Sequence, residues 1–63
     1  MNVAKKLLLL RRAARCSQKQ LADRVGMPPS QLNRYEHGLV RPKLRNLERL
    51  ALALKVPVSE LVR

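Results

Sequence analysis

Hydrophobic positions recur along this chain at three- and four-residue intervals, the spacing that gathers side chains on one face of an α-helix. Val3, Leu7, Leu10 and Ala14 make the first stripe and predict a helix over about 2–14, with Asn2 as its cap. Ser17-Gln18-Lys19-Gln20 then reads as a capping box, in which the Ser hydroxyl accepts from the Gln20 amide and the Gln20 side chain reaches back. It opens a helix over 18–25 with Leu21, Ala22 and Val25 inward, and Gly26 suits its left-handed stop. Pro29 suits the first position of a third helix over 29–37, because its missing N–H would be unpaired there anyway. Leu32 and Tyr35 form the inner side of that helix, and Gly38 ends it. Ser30, Asn33, Arg34 and His37 fall on the opposite side. Leu44, Leu47, Leu50, Ala51 and Leu54 predict a fourth helix over 44–54, and Val58 and Leu61 a short fifth over 57–62.

Only Gly26 to Pro28 separate the second helix from the third. A connection that short and led by glycine forces a sharp crossing, as in a helix-turn-helix. One helix then projects its outer face, and a major groove about 12 Å wide admits it. A chain of 63 residues is expected to form one all-α domain over 1–63. At this size only about 60% of the unfolded surface is buried, so the apolar residues serve one core. These are mostly Leu, Val and Ala, with one Tyr and neither Ile nor Thr, a composition that favours helix over strand.

Charge adds a partner to this picture. Fourteen Lys and Arg against four acids give a net charge of +10, well beyond what solubility requires. Such a surface attracts polyanions, either nucleic acid or an acidic membrane face. No stretch approaches the roughly 20 apolar residues of a membrane span. Leu7–Leu10 has basic flanks like a signal-peptide core, but it is too short and no small-residue cleavage site follows. The single cysteine, Cys16, allows no intrachain disulfide and reads as a small buried hydrophobe or, alternatively, a redox sensor. The lone His37 has no partners at metal spacing. Asp23, Glu36, Glu48 and Glu60 are scattered one to a helix, so no catalytic cluster, metal or cofactor is expected.

The ordered set Ser17-Gln18-Lys19-Gln20-Leu21-Ala22, Gly26, Leu32, Glu36, Gly38 and Pro42, continued by Leu47, Leu50-Ala51, Leu54, Val56 and Leu61, resembles the phage-repressor and Cro-like (lambda-repressor-like, XRE-type) helix-turn-helix domain. The resemblance covers nearly the whole chain. It implies a compact five-helix domain that binds operator DNA, usually as a dimer, and commonly represses transcription. By position it implies base contacts at Pro29, Ser30 and Arg34, a phosphate contact at Gln18, and backbone contacts from Arg41 and Lys43. It also implies an Arg11–Glu36 pair tying the first helix to the end of the third. Three positions depart from the pattern. Pro28 stands where Ser or Thr often caps the recognition helix, Arg15 where Gly is common, and Pro29 where a Gln could bond to a base. Readout therefore shifts to Ser30, Asn33 and Arg34.

Within that helix, Arg34 reads either guanine or a phosphate, Asn33 either pairs with adenine or lies solvated at the rim, and Ser30 suits base or phosphate alike. Ser17 and His37 are placed near phosphates. Leu8 and Leu9 flank the core face of the first helix. They either cover the core margin or form a protein-partner surface. The function expected is sequence-specific double-stranded DNA binding as a transcriptional regulator acting by operator occupancy. The alternative is an antitoxin or bridging module whose main partner is a protein. A weak homodimer is expected to form on DNA through the last helix, with Pro57 and Val62 exposed, in a bacterial or phage-like cytoplasm at the nucleoid.

Overall fold

A computed structural model describes residues 2–62. Five helices follow in order: α1 Val3–Ala13, α2 Gln18–Val25, α3 Pro29–Glu36, α4 Leu44–Leu54 and α5 Ser59–Val62. α1 packs on α3 and α5, α2 on α3 and α4, and α4 on α5, so the five close a ring around one core. Leu7, Leu21, Leu32, Leu50 and Leu61, one from each helix, are fully buried at its centre.

Local signals explain where the helices begin. Asn2 Oδ1 accepts from the Ala4 N–H at 2.9 Å. The Ser17 hydroxyl accepts from the Gln20 N–H at 3.0 Å, and Gln20 Oε1 accepts from the Ser17 N–H at 2.9 Å. α3 has no side-chain cap. Its start is tolerable because Pro29 brings no N–H, and the Gln31 N–H turns back to the Pro28 carbonyl at 3.0 Å.

The helix ends share one device. In each of α1 to α4 the residue after the last turn donates three residues back and the next donates five back, the Schellman closure. It needs one left-handed residue per helix end. Gly26 and Gly38 supply it at φ 74 and 71, but Arg15 and Lys55 adopt it at φ 54 and 59. The residue that follows tucks inward at α1 and α2, where Cys16 and Met27 are buried.

Several boundaries and faces differ from the sequence pattern. α1 stops at Ala13, and Ala14 is its exposed cap, not part of the core stripe. α3 stops at Glu36 with His37 as cap, and α5 begins at Ser59, not at Pro57. Leu44 is 61% exposed because it opens α4 where the loop is still arriving, and Pro42 is buried there instead. Ala4 and Met27, absent from the expected core, are buried. Leu8 is half-buried and Leu9 exposed.

Polar bonds lock the ring. Arg11 Nε donates to Glu36 Oε2 at 2.6 Å and Nη2 to Oε1 at 3.1 Å, a two-pronged ion pair between α1 and α3. Arg11 Nη1 also donates to the Cys16 carbonyl at 2.8 Å. The Tyr35 hydroxyl, in the core, accepts from Gln31 Nε2 at 2.7 Å and from Asn46 Nδ2 at 2.9 Å, joining α3 to α4. Arg49 donates to the Val25 carbonyl and closes the end of α2 from α4.

Two stability predictions follow from these features. The Glu36 side chain is only 2% exposed, so Glu36→Ala strands a charged guanidinium and is expected to cost about 3 kcal/mol in urea denaturation. Replacing both partners, as Arg11→Met with Glu36→Leu, is expected to cost less than either single change. Equal melts for Glu36→Ala and wild type would sink this account. At the strained stops, Arg15→Gly and Lys55→Gly are each expected to stabilise by up to about 1 kcal/mol, seen as a higher Tm. Lys55→Ala removes the same charge but keeps the Cβ, and is expected to give no such gain.

Candidate nucleic-acid interface

The turn between α2 and α3 runs Gly26-Met27-Pro28, and its direction is set by burial. Gly26 reverses the chain in the left-handed conformation, Met27 is drawn into the core at 8% exposure, and Pro28 leaves extended to begin α3. The space around Gly26 is restricted, since a Cβ there would lie 3.2 Å from Arg49 Nη2. α3 is thereby fixed on its inner side by Leu32, Tyr35 and Glu36, all buried. Its outer side carries Pro29, Ser30, Asn33 and Arg34, with His37 just beyond, and all five are exposed.

The remaining candidates are distributed around this helix. Arg41 and Lys43 are exposed on the loop that leads from α3 to α4. Ser17 is exposed, and its oxygen is engaged in capping α2. Gln18 is half-buried at the first turn of α2 and reaches across to α3. Its Nε2 donates to Glu36 Oε1 at 2.9 Å, and its Oε1 accepts from Asn33 Nδ2 at 3.4 Å. One N–H of Gln18 is therefore committed within the fold and the other remains for an outside acceptor. No local pattern could show this, because Gln18 and Glu36 meet only through the packing of α2 on α3.

His37 Nδ1 lies 2.8 Å from the Asn33 carbonyl. A carbonyl only accepts, so in this hydrogen bond Nδ1 is the donor. Arg34 flanks a shallow cleft with Ser30, Gln31 and Tyr35, rimmed by Pro28 and Val40. Its guanidinium offers five donors without an acceptor, which suits guanine O6 and N7 or a phosphate. Among the described residues no group of His, Cys, Asp and Glu is arranged to hold a metal ion, and no helix is long and apolar enough to cross a membrane.

Known proteins share this arrangement. A helix-turn-helix family model matches residues 7–61. The cryptic phage CTXphi transcriptional repressor RstR of Vibrio cholerae is 33% identical over 61 residues, which is 97% of this chain and 54% of the relative. The chain thus spans about half the length of that curated relative. Among solved structures, the restriction-modification controller protein C.AhdI from Aeromonas hydrophila superposes with a TM-score of 0.90 at 34% identity, covering 94% of this chain and 89% of that one. The master regulator for biofilm formation SinR, solved in complex with DNA, superposes with a TM-score of 0.91 at 26% identity, covering 97% and 98%. With the family match running from α1 into α5 and the α2–turn–α3 geometry in place, the chain belongs to the helix-turn-helix family of Cro/C1-like, XRE-type domains.

Proposed function

We propose that this chain binds double-stranded DNA through α3 and regulates transcription in a bacterial or phage-like cytoplasm by occupying an operator, without catalysing a reaction. The observation that carries this reading is the exposed face of α3. Ser30, Asn33, Arg34 and His37 project from a helix whose opposite side is locked into the core, on a protein of net charge +10. Phosphate contacts from Arg41, Lys43 and Gln18 supply affinity, and base contacts from Arg34, Asn33 and Ser30 supply sequence choice. Support also comes from RstR, named as a transcriptional repressor, and from SinR, solved with DNA bound.

Two copies bind as a weak dimer that forms on the duplex. Val62 on α5 is 43% exposed and Pro57, in the turn before α5, is exposed too, and two such side chains supply far less than the roughly 1,200 Å² of a stable interface. Repulsion between two copies of charge +10 opposes the free dimer, and DNA phosphates relieve it. A second reading, in which a protein is the main partner, draws on Leu9 of α1, which is 54% exposed.

Selection of bound sequences from a random duplex pool tests the reading directly. Arg34→Ala is expected to relax preference at one base pair, at a cost of roughly 1–3 kcal/mol. Arg41→Ala is expected to weaken all sequences alike and to reduce the salt slope by about 1. Equal loss on operator and random DNA for Arg34→Ala would refute its role in base reading. For assembly, light scattering without DNA is expected to show a monomer at micromolar concentration. Footprinting is expected to show cooperative occupancy of an inverted repeat with half-sites roughly 10 bp apart. A stable free dimer, or non-cooperative binding to one half-site, would count against it.

A further inference from the structure

We infer that the proline pair opening α3 reads the C5-methyl of a pyrimidine in the major groove through the Pro29 ring, so that thymine and cytosine methylated at that carbon serve alike at one position of the half-site and unmethylated cytosine does not. The inference rests on the proposed DNA-binding reading and goes beyond it by naming a base modification that the protein distinguishes.

The N-terminal end of a recognition helix is the part that meets base edges. Here that end is Pro28-Pro29-Ser30, and all three residues are exposed. Neither proline has an N–H, and neither side chain carries a donor or an acceptor. The Pro28 carbonyl is turned back into the helix, where it accepts from the Gln31 N–H at 3.0 Å. Side-chain hydrogen bonding toward a base therefore begins at Ser30, and the Pro29 ring ahead of it offers only carbon.

That ring is also held still. Pro28 lies at φ −64 and ψ 142, and the proline after it bars Pro28 from helical backbone, so the start of α3 cannot slide by a residue. The φ of Pro29 is fixed by its own ring, and burying a proline costs no rotamer freedom. Leu32, buried three residues on, sets the rotation of the helix. A contact made by so rigid a group keeps most of the value of the area that it covers.

On the major-groove edges one group is apolar, the thymine C5-methyl. Set over a purine N7, the ring would cover an acceptor with carbon, whereas over a methyl it buries carbon on carbon. Cytosine has only C5–H at that place, and methylation there gives it the same apolar group. Thymine and 5-methylcytosine then differ in the neighbouring O4 acceptor or N4–H donor. The Ser30 hydroxyl both donates and accepts, so it suits either. The methyl is the feature on which this position turns.

The test starts from the operator that wild type selects out of a random duplex pool. Each thymine is replaced singly by uracil, which removes the methyl and keeps every hydrogen-bonding group. Cytosine and 5-methylcytosine are then placed at the position found. At one position of the half-site uracil is expected to weaken wild-type binding about fourfold, the worth of one buried methyl-sized group. There 5-methylcytosine is expected to bind within about twofold of thymine, and cytosine about fourfold more weakly than its methylated form. Pro29→Ser, first checked by thermal melt, is expected to bring each methylated and unmethylated pair to within about twofold, while the Arg34 position keeps its preference. A measurement without any variant keeps the idea exposed if Pro29→Ser folds poorly. In the wild-type complex the methyl protons of that thymine are expected to show nuclear Overhauser contacts to the Pro29 ring protons. No thymine whose methyl matters, equal binding of cytosine and 5-methylcytosine, a full methyl effect in well-folded Pro29→Ser, or methyl contacts that omit Pro29 would each overturn the inference. If wild type enriches no sequence at all, the DNA-binding reading itself fails; if it enriches an operator in which no methyl matters, only this inference does.

Discussion

The Arg11–Glu36 ion pair stands between three helices. Arg11 comes from the last turn of α1, Glu36 from the last turn of α3, and Gln18 from the first turn of α2 completes the carboxylate's partners. A carboxylate this buried is costly unless its oxygens are bonded, and here both are. The pair therefore does less to raise net stability than to forbid other arrangements. Any slide of α3 along α1 or α2 would leave a charge unpaired out of water. The leucine core tolerates small displacements because dispersion and burial have little direction. The ion pair does not, and the exposed face of α3 inherits its placement from it.

The second constraint is the brevity of the helices. Helices of 8 to 11 residues are marginal alone in water and depend on packing and on well-made ends. Each of the four longer helices ends in a Schellman closure, which satisfies the last carbonyls and turns the chain within two residues. This is how five helices close into a ring with connections so short. The cost falls on Arg15 and Lys55, which hold left-handed backbone without being glycine. Both are exposed cations, so their side chains add to the positive surface at the same positions where the backbone is strained.

Charge and geometry have separate tasks in the proposed function. A net charge of +10 draws the protein to any duplex and says nothing about sequence. Choice of sequence depends on how few donors and acceptors are held, and in which direction. Arg34 carries donors only, whichever way it turns. Asn33 carries two N–H donors and an oxygen acceptor, and its Nδ2 lies 3.4 Å from Gln18 Oε1.

Much of this was legible in the residues. Helical spacing placed the five elements, the capping box placed the start of α2, and Gly26 and Gly38 marked two stops, because each is a local rule acting within a few residues. The outward face of α3 was equally legible, since 3.6-residue periodicity assigns sides. What the sequence could not show depends on contacts between distant segments. Leu44 fits the stripe of α4, yet lies exposed, because the arriving loop and not the periodicity decides what the first turn covers. Ala4 and Met27 are buried for the same kind of reason, one beneath Gly38 and the other inside a helix closure. Lys55 carries no local mark of a left-handed stop, because the ring closure imposes that conformation on a residue that would not choose it. The joining of Gln18 to Glu36 and Asn33 is wholly tertiary. A carboxamide offers donor and acceptor alike, and only the buried carboxylate that the fold sets beside it decides which way it faces.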